Sequence, residues 1–280
     1  MRQISNKIFA RADCADFVGR EAELDRLLRH AKGKSDANDL VLLAVPSAGT
    51  SELLRQAYDR LFDEQEDVIP FYFEVKASDG TARNAARRFL SEFLLQTVAF
   101  RRRDAKIIDI SPEIDEIAEL AAPSYGHWID RLVEIYHRGT ENDHGRSFVR
   151  NCLSAPLRAA IHDARSFVII DGLHVTDQLD DGKAFFETIV DIFSRASIPF
   201  VFSGYRRFLF AKTPFETMPI EPLPFSEAGE LATRLSAKTG VKLNDQTRDL
   251  IAVQLGGKPE FIESFFASAS ANEIDLNSFD

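Results

Sequence analysis

Between Asp39 and Phe62 the chain reads DLVLLAVPSAGTSELLRQAYDRLF, and no other stretch restricts its fold so strongly. Leu40, Val41, Leu42 and Leu43 form a continuous apolar run, the mark of a strand buried on both faces. A short loop from Val45 to Thr50 follows. From Ser51 onward, Leu53, Leu54, Ala57, Tyr58, Leu61 and Phe62 recur at helical spacing, which gives a helix one apolar face to lay on a sheet. The alternation continues downstream. VIPFYFEV (68–75) predicts a second buried strand, Thr81 to Phe100 a long helix, and SFVII (166–170) a strand ending at Asp171-Gly172. A helix over 184–196, a strand over 198–203 (IPFVFS) and a short strand near Pro219 to Leu223 complete it. Apolar strands alternating with helices predict an α/β fold: a parallel sheet with helices on both faces.

Around that frame lie less regular parts. Residues 1–16 read as an irregular lead-in, Glu21 to Lys32 as a helix, and Lys32 to Asn38 as a polar connection. Residues 101–165 read as a helical insertion. Helices are expected from Ser111-Pro112-Glu113 to about Leu120, over 125–137, and over 147–163 with a bend or break at Pro156; Asn142 to Gly145 is expected as a loop. Val175 to Gly182 is expected as a further loop. Beyond residue 222 the pattern turns wholly helical, over 226–239, 244–255 and 259–270. The expected division is a lead-in (1–16), an α/β domain (17–222) and a small helical lid domain (223–280).

Composition narrows the function classes. A net charge of −10 and a pI near 5.2 oppose a general nucleic-acid or anionic-membrane surface, since both reward basic patches. The densest basic cluster, Arg101 to Arg103 with Lys106, follows a long helix, where cations suit the negative end of the dipole. Two cysteines far apart in sequence, Cys14 and Cys152, predict reduced thiols, and no apolar run approaches a membrane span of roughly 20 residues. With no apolar core of a signal peptide at the N-terminus, the expected location is cytoplasmic. The 23 phenylalanines read as packing, and Asp177, Asp180 and Asp181 as a solvated loop.

Strand, tight loop and helix is also the layout of a phosphate-binding loop, with the pattern Gly, four residues, Gly, Lys, then Ser or Thr. Here Ala44 stands for the first Gly, Gly49 for the second, Thr50 for Lys, and Ser51 is in place. The missing lysine is a charge that grips phosphate; losing one charge-assisted hydrogen bond costs about 1.5–3 kcal/mol. The residues alone leave three outcomes open: a loop kept for packing, weak nucleotide binding, or competent hydrolysis.

Five stretches together resemble one superfamily. FVGREAELDRL (17–27) resembles the opening motif of the signal-transduction ATPases with numerous domains (STAND) and their archaeal-ATPase-like relatives in the AAA+ group. VLLAVPSAGTSELL (41–54) resembles their phosphate loop, FVIIDGLH (167–174) the Walker B strand, VFSGYRR (201–207) the sensor strand, and GGKPEFIES (256–264) the lid's Gly-x-Pro segment. The resemblance implies a P-loop NTPase core with a degenerate Walker A motif, followed by a helical lid. It implies that Gly19, Arg20 and Pro259 border an adenine, and that Pro46, Ser47, Ala48, Gly49, Thr50 and Ser51 hold phosphates. Ser51 and Asp171 would take Mg²⁺, and Ser203 and Arg206 would sense the γ-phosphate. The acid expected after Asp171 is Gly172; His174 is a conceivable substitute, or a structural histidine. ATP or ADP with Mg²⁺ is therefore expected to bind weakly. The expected function is a catalytically degenerate module acting through protein partners, with homo-oligomerisation open. The alternatives are an active ATP-hydrolysing switch and a DNA-associated initiator-like ATPase. Such relatives usually continue into a winged-helix domain beyond the lid, and a basic DNA-reading segment of that kind is not among the 280 residues.

Overall fold

The computed structural model describes residues 7–14, 16–33, 39–121, 127–138, 145–209 and 215–276. Five strands, β1 (Asp39–Ala44), β2 (Ile69–Glu74), β3 (Ser166–Asp171), β4 (Phe200–Tyr205) and β5 (Thr217–Ile220), lie parallel in one sheet. Their order is β2-β3-β4-β1-β5. Register sets Leu42 beside Ser203, Ala44 between Tyr205 and Ile220, and Glu74 beside Asp171. Because β1 has no consecutive strand beside it, its connections part at its carboxyl end, where α/β sheets leave a binding crevice. Both edge strands carry a proline, Pro70 in β2 and Pro219 in β5. Proline cannot donate to a ladder, so it belongs on an edge and blunts it against further pairing.

The helices are α1 (Glu21–Ala31), α2 (Thr50–Glu64), α3 (Ala82–Arg102), α4 (Lys106–Ile110), α5 (Ile114–Leu120) and α6 (Trp128–Arg138). They continue with α7 (Gly145–Leu153), α8 (Ala155–Ala160), α9 (Gly182–Phe193), α10 (Arg206–Leu209), α11 (Phe225–Thr239), α12 (Asp245–Gln254) and α13 (Pro259–Ala271). Every residue of β3 is buried, as a strand covered on both faces requires. Phenylalanines supply much of the core. Phe71 and Phe73 of β2 meet Phe89 of α3 edge-on with ring centres 4.9 and 5.1 Å apart, while Phe225 and Phe261 are exposed. A second, smaller cluster joins Ala228, Leu231, Ile251, Ile262 and Phe266 of the C-terminal helices to Val18 and Leu223.

Several expectations shift. The expected 147–163 helix breaks at Ser154 and not at Pro156, which lies in the first turn of α8, where its missing N–H costs nothing. The unexpected α4 follows a left-handed Arg103 that ends α3. The segment expected as a loop from Val175 begins inside a 3₁₀ turn, Leu173–Gln178. The basic cluster does end a helix, and Arg102 there donates to the Leu120 carbonyl at 2.9 Å. Asp177, Asp180 and Asp181 are exposed. Most of the polar connection (34–38), the start of the 125–137 helix and most of the Asn142 to Gly145 loop lie outside the described residues. Among the described residues, no helix is long and apolar enough to cross a membrane.

Candidate functional site

The loop between β1 and α2 turns back through two left-handed residues, Ser47 (φ 64°) and Gly49 (φ 83°), the second of them the N-cap of α2. Glycine suits position 49 twice over. It takes that φ freely, and a Cβ there would stand 3.3 Å from Pro259 Cγ of α13. Gly257 makes a similar approach on the other side: a Cβ would fall 2.1 Å from the Leu223 carbonyl oxygen, and its own carbonyl accepts the Leu223 N–H at 2.7 Å. The loop and the start of α13 are thereby held face to face. Ala44, at the position of the pattern's first glycine, ends a buried strand and is not at positive φ, so its methyl is accommodated.

A cavity of about 370 Å³ opens over this loop, within the usual range of about 300–1,000 Å³ for small-molecule sites. Its wall gathers Arg20, Ser47, Ala48, Gly49, Thr50, Ser51, Asp171, Ser203 and Pro259. Gly19, Pro46 and Arg206 do not line it. A Cβ on Gly19 would meet the Glu227 carboxylate, so that glycine lets the segment before α1 pass close to α11. Arg206 ion-pairs with Glu221, both partly exposed, an arrangement that turns the expected sensor toward a surface carboxylate.

Each wall group has a definite state. Arg20 is buried; it donates to the Ala48 carbonyl at 3.1 Å and to the Glu221 carbonyl, and it pairs with Glu23 at 3.0 Å. It therefore braces the start of α1, the loop and the segment after β5. Thr50 opens α2 with a buried hydroxyl that has no hydrogen-bond partner among the described residues. Asp171 is buried and accepts from the Tyr72 hydroxyl at 2.9 Å and from the Ser203 hydroxyl, which in turn accepts the Gly172 N–H at 3.0 Å. Burial, and then the Asp171 charge, push the Tyr72 hydroxyl far up, so it stays a donor. His174 stacks on Tyr205 with ring centres 3.7 Å apart and leaves Nδ1 without a partner among the described residues. Burial lowers its pKa, which keeps the ring neutral near pH 7.

Two groups not singled out from the sequence complete the floor. Arg55 lies one turn beyond Ser51 and is only 8% exposed; its Nη2 is 3.4 Å from a carboxylate oxygen of Glu74. Burial opposes its charge, but Tyr72, Glu74 and Asp171 outweigh that cost and leave its pKa raised. The sequence shows of it only a basic residue four positions after Ser51, which does not mark a site by itself. Glu74 could be placed only through its register beside Asp171. Asp16, Glu52, Glu74, Asp171, Glu260 and Glu263 face the cavity against the guanidinium groups of Arg11, Arg20 and Arg55.

No family model matches the sequence, and no curated protein does. Solved structures do. A Walker-type ATPase of Pyrococcus abyssi superposes with a TM-score of 0.56 at 14% identity, over 94% of this chain and 70% of that one. The chain has the fold of a Walker-type, P-loop ATPase. The Orc1 protein of Aeropyrum pernix, solved in complex with DNA, superposes at 0.54 and 14% identity over 91% of this chain and 60% of its own. Likeness at that identity establishes a fold, and function has to come from the site. Within the Walker-type fold, the left-handed loop, the orphaned Thr50 hydroxyl and Ser51 fit a phosphate group at a helix N-terminus. The excess of carboxylates on the wall fits that phosphate only in company with a cation.

Proposed function

We propose that the chain is a nucleotide-responsive AAA+/STAND-type module with turnover suppressed. ATP or ADP with Mg²⁺ binds weakly between the loop and the C-terminal helices and sets how those helices meet protein partners. One observation carries this reading: the loop keeps left-handed Ser47 and Gly49 and an unpartnered Thr50 hydroxyl close under Pro259, while position 50 lacks a lysine and position 172 an acid. The first amides of α2 and the hydroxyls of Thr50 and Ser51 would hold the phosphates, with the helix dipole in their favour. Ser51 and Asp171 would hold the metal ion, which when bound supplies positive charge beside the phosphates. Tyr72 and Ser203 fix the Asp171 carboxylate in place for that role. Gly172 offers nothing to take a proton from water, so acid–base assistance worth typically ~10²–10⁴-fold is missing at that position.

A second reading, a hydrolysing switch, is favoured by Glu74, a carboxylate on the cavity wall beside Asp171. Calorimetric titration with ATP, ADP and GTP, with and without Mg²⁺, tests the first. Measurable binding is expected, and no heat at millimolar nucleotide with folded protein overturns it. Radiolabelled ATP turnover no higher than in a Ser51→Ala, Asp171→Ala double variant is also expected. Turnover clearly above that, and lost in Glu74→Gln, favours the switch.

A further inference from the structure

We infer that Arg55 supplies the phosphate-facing positive charge that Thr50 lacks, so that a nucleoside di- or triphosphate is gripped from the second turn of α2; this rests on the nucleotide reading above. Three guanidinium groups among the described residues line the cavity, and two of them are poor candidates. Arg20 commits both terminal nitrogens, to two carbonyls and to Glu23, and keeps only its buried Nε without a partner among the described residues. Arg11 is exposed, so water and salt screen its charge, and Glu263 shares its field.

Arg55 differs from both. It is buried on the cavity floor on the same side of α2 as Ser51, four residues further on. A charge there is costly unless a partner satisfies it. Its one carboxylate contact is 3.4 Å, longer than the ~2.7–2.9 Å of a well-made charge-assisted hydrogen bond. Glu74, the other half of that contact, has a side chain 42% exposed and is free to turn to water. The resting pair is therefore loose and has a ready way to open. A planar guanidinium matches phosphate oxygens two at a time, which the lysine it replaces would not do. Phosphate takes the place of Glu74 at the guanidinium, and no covalent bond changes.

The test measures Kd by calorimetry for Mg-ATP and for adenosine in the wild type and in Arg55→Met, Arg55→Lys and Glu74→Gln, each checked for an intact unfolding transition. Arg55→Met is expected to weaken Mg-ATP by about tenfold to a hundredfold and to leave adenosine unchanged. Arg55→Lys, which keeps the charge but not the two-point match, is expected to fall between Arg55→Met and the wild type, and Glu74→Gln, which removes the competing anion, to tighten Mg-ATP severalfold. Mg-ATP affinity in Arg55→Met within twofold of wild type overturns the inference. So does an equal loss for adenosine, which would report a collapsed pocket. If Arg55→Met does not fold, Glu74→Gln decides, because unchanged or weaker Mg-ATP binding there overturns the inference too. A wild type that binds no nucleotide removes the nucleotide reading itself, whereas intact binding in Arg55→Met removes only the role of Arg55.

Discussion

Two sets of buried polar groups on α2 end in opposite states. Against the lead-in, the Asp59 carboxylate accepts the backbone N–H groups of Ile8, Phe9 and Ala10 at 3.0, 2.9 and 3.1 Å. Glu52 accepts those of Arg11 and Ala12, and Gln56 donates to the Ala12 carbonyl at 2.8 Å. Phe9 then packs edge-on against Tyr58 at 4.7 Å, so the lead-in lies strapped along the helix. At the cavity, Thr50 has no partner among the described residues and Arg55 has a long carboxylate contact. Burial of polar groups is common to both sets, so burial alone does not mark a site. The difference lies in satisfaction: matched groups hold structure, and unmatched groups are completed by a ligand.

Four measurements would break or sharpen that contrast. The largest stability effect is expected in the matched set. Asp59→Ala removes the acceptor of three amides and should cost about 2–4 kcal/mol, read as a clear fall in Tm, with proteolysis appearing in the lead-in. No change in Tm would mean the strap contributes nothing. Next comes Gly49→Ala, which forces a left-handed alanine against Pro259; about 1–2 kcal/mol of stability is expected to go, with loss of Mg-ATP binding in calorimetry.

Thr50→Val should be neutral or more stable by up to about 1 kcal/mol in denaturant unfolding, since it deletes a hydroxyl with no partner among the described residues. A loss of stability there would show that the hydroxyl has a partner after all. The smallest effect is on pH dependence. His30 and His174 both have pKa values lowered chiefly by burial, so the unfolded chain binds their protons more readily. Their contribution is fully present above the ordinary histidine value of about 6.5 and is lost progressively below it, as pH falls to the lowered folded-state values. His174→Asn should flatten part of that slope, and an unchanged slope would assign it to His30.

Much of the sheet was legible because its signal is local. Continuous apolar runs and helical spacing announce β1, α2, β2, α3 and β3 without knowledge of any neighbour. The break near Pro156 was legible, but its place at Ser154 and the short α4 were not, because composition fixes helix ends only to within a few residues and packing decides between them. Within the candidate site, the loop and Asp171 could be named in advance because a strand end and a turn are features of the chain itself. Tyr72, Arg55 and Glu74 could not, since they meet only when α2, β2 and β3 come together.

The sequence by itself determined a strand, a tight glycine turn and a helix, and with them a phosphate-loop shape without its lysine, because backbone preferences and apolar spacing act over a few residues. Only the tertiary structure decided where charge enters that shape. It turned Arg206 to Glu221, spent Arg20 on carbonyls and left Arg55 loosely held on the cavity floor. Those outcomes depend on distances between elements far apart in the chain, and electrostatic pairing is fixed by distance and burial, not by order in sequence.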